Sequence, residues 1–150
     1  MEYSGRTATK RHIKRVQEII GNIASILLRR GYEHDSSKLE DPEVSLFDEM
    51  TPKLAESTYG SPEYYELLKA LKPALDHHYA VNSHHPEQHT NGISGMTLMD
   101  IIEMFCDWKS ASERHINGNF ERSIKINTTR FNMDKQLVDI FENTRKELNL

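Results

Sequence analysis

Residues 7–30 read TATKRHIKRVQEIIGNIASILLRR. Their apolar members Ile13, Val16, Ile19, Ile20, Ile23, Ile26 and Leu27 recur at steps of three and four, the period of one face of an α-helix. Gly31 follows where a helix C-cap is expected. His12 stands in the same register, because Val16, Ile19 and Ile23 follow it at steps of four, three and four. The pattern therefore predicts an imidazole facing the core of a helical protein.

The helical reading extends outward from this stretch. A polar turn or short helix over residues 34–43 leads into a helix over 44–50, and Thr51-Pro52 opens another short turn. Ser61-Pro62 is an N-cap followed by a proline at the first helical position. The helix it opens carries Tyr64, Leu67, Leu68 and Leu71, and Pro73 is expected to kink or restart it before residues 75–81. Residues 82–95, rich in His, Asn, Gly and Ser, read as a loop. Thr97 with Asp100 three residues on forms a capping box, and the helix it begins is expected to run to about Ile116, with Gly118 as its stop. Residues 120–126 make a further short helix and residues 133–148 a last one. No repeat or linker divides the chain, so the expected fold is all-α, a single compact domain of five to seven helices over residues 1–150.

Charge and composition narrow the function. Nineteen Lys and Arg against 23 Asp and Glu give a net charge of −4, which argues against broad nucleic-acid binding. The local basic group Lys10, Arg11, Lys14 and Arg15 reads first as a solvated surface, with a phosphate site as the alternative. One cysteine, Cys106, excludes an intramolecular disulfide and a thiolate zinc site, which fits a cytoplasmic setting. No stretch has the length or apolarity of a membrane span. The stripe Leu137, Ile140, Phe141 packs on the core or on a second copy, leaving a homo-oligomer open.

Seven of the eight histidines lie in strings that also hold carboxylates. A divalent metal takes imidazole nitrogens and carboxylate oxygens from several elements, with positions left for water and substrate. His12 on the first helix, the His34-Asp35 pair just beyond it and Asp107 on the Thr97 helix supply such groups. Asp100, Glu103 and Asp107 also share one helix face, where like charges repel unless a cation lies opposite; the alternative is a solvated acidic face. The imidazoles of the 77–89 region have a structural alternative too, as partners of loop carbonyls. His89 fits either reading, and His115 reads as an ordinary surface residue.

An inward His, then His34-Asp35, then a distant Asp, with the string HDSSK, is similar to the HD superfamily of metal-dependent phosphohydrolases. The run His77-His78, His84-His85-Pro86-Glu87, Asp107-Trp108 resembles the histidine-rich portion of HD-type phosphodiesterases, and the likeness covers about residues 8–112. The HHPE string also resembles that of short phage-associated proteins. The Gly-Tyr-Pro signature of cyclic-dinucleotide phosphodiesterases is absent, as is a clear nucleotide-monophosphate hydrolase pattern after the dipeptide.

The resemblance implies an HD-type helical domain holding a divalent metal (Mn, Co, Ni, Fe, Zn or Mg) on His12, His34, Asp35 and Asp107. His78, His84 and His85 would form a second metal site or hold the substrate phosphate, with His85 and Tyr79 among the substrate-binding residues. The implied reaction is hydrolysis of a small nucleotide or related phosphoester by a metal-activated water. Lys38 and Arg15 (or Arg11) would neutralise phosphate oxygens, His78, His84 or His85 would protonate the leaving oxygen, and Glu87 would orient a histidine. Tyr79, Tyr32 and Trp108 are candidates to stack on a base, with Trp108 read first as core. A non-catalytic metal- or nucleotide-binding module that sequesters a ligand or contacts a partner protein, and a helical adaptor without metal, are the competing expectations.

Overall fold

The computed structural model describes residues 4–57, 61–113 and 118–150. Within them the chain is all-α, with six α-helices, three short 3-10 turns and no strand. It divides into two compact units, Met1–His34 and Asp35–Leu150.

The first unit is built on one helix, α1 (Gly5–Glu33), started by Ser4, whose hydroxyl accepts the Thr7 N–H at 3.3 Å. The helix passes through Gly31, the expected cap, and ends at His34. Glycine tolerates helical backbone as well as the left-handed cap, so a single Gly does not force a stop. None of the residues of α1 is buried, and the stripe expected to face a core, with His12, Ile13, Val16, Ile19 and Ile20, is exposed. A lone helix has no second face within its own unit on which to bury such a stripe.

The second unit carries the remaining helices: α2 (Val44–Glu56), α3 (Pro62–Val81), α4 (Leu98–Ser112), α5 (Phe120–Arg130) and α6 (Lys135–Glu147). Both α2 and α3 run through prolines, Pro52 and Pro73, where breaks were expected. Apolar burial on the two helices holds the backbone across the lost hydrogen bonds. Met50, Leu71 and Ala74 form that core, flanked by Leu46, Phe47, Leu54, Leu67 and Leu75. Ser61 caps α3 as its dipeptide predicts, accepting the Tyr64 N–H at 3.1 Å.

A second core lies among α4, α5 and α6, where Met104, Phe105, Trp108, Phe120, Ile124, Met133 and Phe141 are buried. Phe105 meets the Phe120 and Phe141 rings edge-on at 5.0 and 5.1 Å. Each such side chain, fully buried, contributes roughly 1.5–3 kcal/mol. α5 outruns the expected 120–126 and ends at Arg130; burial of Phe120 and Ile124 anchors its first turns against the weak propensity of its β-branched residues. Trp108 is buried and stacks on Phe131, at 6.0 Å and 5° between planes, which makes it a core residue. The end expected for α4, His115-Ile116, lies outside the described residues. No described helix is long and apolar enough to cross a membrane.

Candidate metal centre

The centre is assembled from the start of the second unit, the end of α3, the loop after it and α4. Asp35 caps the 3-10 turn Ser36–Leu39 with φ +56° and ψ +15°, left-handed backbone that Asp tolerates better than most residues. The Lys38 ammonium donates to Asp35 Oδ2 at 2.6 Å. Asp35 Oδ1 then faces His78 Nε2 at 3.2 Å and His84 Nε2 at 3.4 Å. His78 Nε2 and His85 Nε2 lie 2.9 Å apart, and ligating atoms of all four residues fall within 4.8 Å of one another.

Local structure holds these histidines in place. His78, buried in the last turn of α3, has its carbonyl oxygen bound by the backbone N–H and side-chain amide of Asn82, at 3.1 and 2.8 Å. In the loop, the Ser83 hydroxyl donates to Asp100 Oδ1 at 2.6 Å. His89 Nε2 donates to the Ser83 carbonyl at 2.8 Å, the structural role foreseen for some of these imidazoles. A Cβ on Gly95 would lie 3.0 Å from His89 Cβ, so this loop packs against bare backbone. Asp100 completes the predicted capping box: its N–H binds Thr97 Oγ1 at 3.2 Å, and its Oδ2 accepts the Thr97 N–H at 2.8 Å. It is buried as a cap and clamp, not presented on an acidic face.

Two carboxylates stand behind the histidines, and sequence reasoning missed the first of them. Glu43, buried just before α2, places Oε1 2.7 Å from His77 Nδ1 and Oε2 3.0 Å from His78 Nδ1. Glu103 on α4 places Oε1 3.0 Å from His84 Nδ1. The acidic face of α4 was a signal for Glu103; Glu43 sits in an ordinary polar stretch and had none. Glu87, expected behind a histidine, instead pairs with Arg130 at 2.6 Å, because the 3-10 turn Pro86–Gln88 directs it away.

Of the predicted residues, Asp35, His78, His84 and His85 come together within the second unit. Lys38 sits on the outer oxygen of Asp35, and the Tyr79 ring lies 4.8 Å from that of His85. Asp107 is close enough for its charge to act on His85. His12 and Arg15 are exposed on α1, where Arg15 pairs with Glu18 at 3.1 Å, and His34 ends that helix; all three belong to the first unit.

Electrostatics favour an electron-rich centre. Burial pushes the Asp35 carboxyl up, but its contacts with His78, His84 and Lys38 outweigh that and hold it below the usual carboxylate range. Burial, aided by His84 and His78, lowers His85 to about 3 against the opposing pull of Asp107 and Asp35. His85 is therefore neutral at physiological pH, as a ligand must be.

The donor set fits a divalent metal. Metal–ligand bonds of ~2.0–2.1 Å imply ligand–ligand edges of ~3.3–3.4 Å in a tetrahedron and ~2.9 Å in an octahedron. The three contacts above, 2.9, 3.2 and 3.4 Å, span that interval. Imidazole with one carboxylate oxygen suits borderline divalent ions. These four residues can hold such an ion.

Fold and centre together define an all-α protein with a histidine-rich candidate metal centre. The chain belongs to the DUF5662 family, a family of unknown function, whose model matches residues 1–149. None of the curated proteins and none of the solved structures compared with the chain matches it.

Proposed function

We propose that this protein is a metal-dependent phosphohydrolase of HD type acting on a small nucleotide or related phosphoester. The observation that carries the reading is the convergence of ligating atoms of Asp35, His78, His84 and His85, beside the Lys38 ammonium. A divalent ion bound there supplies Lewis acidity and a water acidic enough to lose a proton near neutral pH. Asp35 divides its carboxylate between the centre and Lys38, which places a cation next to the ligand atoms. Lys38 binds an anionic oxygen of the substrate and offsets charge as it builds during phosphoryl transfer. Tyr79, against His85, offers a flat surface at the edge of the centre for a base.

A second reading, a non-catalytic metal-binding module, draws on the same donor count. Four protein ligands close a tetrahedral ion completely, whereas a six-coordinate ion keeps two positions open for water and substrate. Metal identity therefore separates the readings: manganese, iron, cobalt, nickel or magnesium suits turnover, and tetrahedral zinc suits storage or structure.

Elemental analysis of the purified protein and of Asp35→Ala, followed by phosphate-release assays over nucleotides with each of these ions, tests the proposal. Near-stoichiometric metal lost in the variant, with release from one nucleotide class, is the expected result. Metal without release from any nucleotide supports the binding module, and no metal under any condition overturns both.

A further inference from the structure

The proton on His78 decides whether the centre can form. Its Nε2 must present a lone pair to a metal, which requires the ring proton on Nδ1. Three groups surround Nδ1: Glu43 Oε2 at 3.0 Å, Asn82 Nδ2 at 3.0 Å and Ser37 Oγ at 3.2 Å. The Asn82 amide has two hydrogens, and both have nearer acceptors, the His78 carbonyl at 2.8 Å and Ser37 Oγ at 2.9 Å. A hydroxyl either donates or accepts. The Glu43 carboxylate can only accept, and it lies fully buried, where a lost partner is costly. Its other oxygen, on His77 Nδ1 at 2.7 Å, anchors it from the opposite side.

We propose that Glu43 is a positioning residue of the centre: it fixes the His78 proton on Nδ1 and so aims the Nε2 lone pair at Asp35 and His85. The inference rests on the metal centre proposed above. Asp35 Oδ1, 3.2 Å from Nε2, is the competing acceptor for the same proton, and Glu43 holds the shorter contact at 3.0 Å. Glu103 stands in the same relation to Nδ1 of His84, so two of the three histidines have a carboxylate behind them.

The test uses nitrogen-15 NMR of histidine-labelled, metal-free full-length protein at pH 8, together with zinc(II) affinity by chelator competition. The parent is expected to hold His78 as the Nδ1–H tautomer. Glu43→Gln, whose amide offers a donor as well as an acceptor, should shift His78 toward Nε2–H and weaken zinc binding about 10- to 100-fold. Glu43→Asp should recover part of both. An Nε2–H tautomer in the parent overturns the proposal, and this result needs no variant to fold. An unchanged tautomer and affinity in Glu43→Gln overturns it as well. If the parent binds no zinc, the metal centre fails, while the His78 tautomer in parent and variant still decides the role of Glu43.

Discussion

The Ser83 hydroxyl donates to Asp100 Oδ1 at 2.6 Å, tying the residue before His84 to the first turn of α4. One buried carboxylate thus caps a helix and holds the loop that carries two of the candidate ligands. Asp100→Ala removes the acceptor for the Thr97 N–H and for Ser83 together. Losing half of a capping box and a buried charge-assisted hydrogen bond is expected to cost about 2–3 kcal/mol. Urea unfolding of the metal-free protein reads this, and zinc affinity should fall with it as His84 loosens. Thr97→Ala, which removes the cap but leaves the loop tie, should lose about 1 kcal/mol and keep its metal.

Asp35 combines a candidate ligand oxygen with left-handed backbone, and two substitutions separate the contributions. Asp35→Ala and Asp35→Gly both remove the oxygen, so both should lose metal binding and any phosphate release while keeping their helix content. Alanine at φ +56° carries the steric cost of the left-handed region and glycine does not. The metal-free Gly variant should therefore be about 1 kcal/mol more stable than the Ala variant. Equal stability would mean that this turn relaxes to another conformation once Asp35 is gone. Lys38→Ala should keep its metal and raise the KM for a phosphoester, because the ammonium holds no ligand position.

The parts of this protein that were legible in its sequence rest on contacts within a few residues. Thr97 with Asp100 and Ser61 with Pro62 place two helix starts, since cap and partner lie within one turn. The chemistry of His78, His84 and His85 was legible from residue type alone. Glu43 was not, because it and His78 are 35 positions apart and meet only when α2 packs on α3. Glu87 misled for the opposite reason: adjacency to His85 in sequence implied a shared direction, and a 3-10 turn separates them. The prolines of α2 and α3 misled because their local cost is overcome by burial along the rest of each helix.

Stability should depend on pH in the metal-free protein. His85 titrates near 3 in the folded chain and near its ordinary value of about 6.5 when unfolded. Between these limits the unfolded state binds the extra proton, so stability is fully present above about 6.5 and declines as the pH falls toward 3. Asp35, held below the usual carboxylate range, adds a loss of the same sign at the acid end. Urea midpoints of chelator-treated protein should therefore be lower at pH 4.5 than at 7.5. In His85→Gln, which has no ring to protonate, the gap should narrow; an unchanged gap would place the acid sensitivity on other groups.

Gly95 offers a steric test of the loop that carries His84 and His85. A Cβ there would stand 3.0 Å from the Cβ of His89, tighter than ordinary contact, so Gly95→Ala forces one strand of the loop to give by a few tenths of an ångström. His89 is fixed in turn through Nε2 on the Ser83 carbonyl, one residue before His84. The displacement is therefore transmitted to a candidate ligand, and Gly95→Ala should cost about 1 kcal/mol and weaken zinc binding several-fold. The crowded atom is the Cβ and not the ring, which makes the relief specific. Adding His89→Ala keeps that Cβ and should restore nothing, whereas His89→Gly removes it and should recover the stability lost to crowding, but not the hydrogen bond to Ser83. Unfolding midpoints of the two double variants against His89→Ala and His89→Gly alone measure this, and equal recovery in both would show that the contact with His89 Cβ is not what excludes a side chain at position 95.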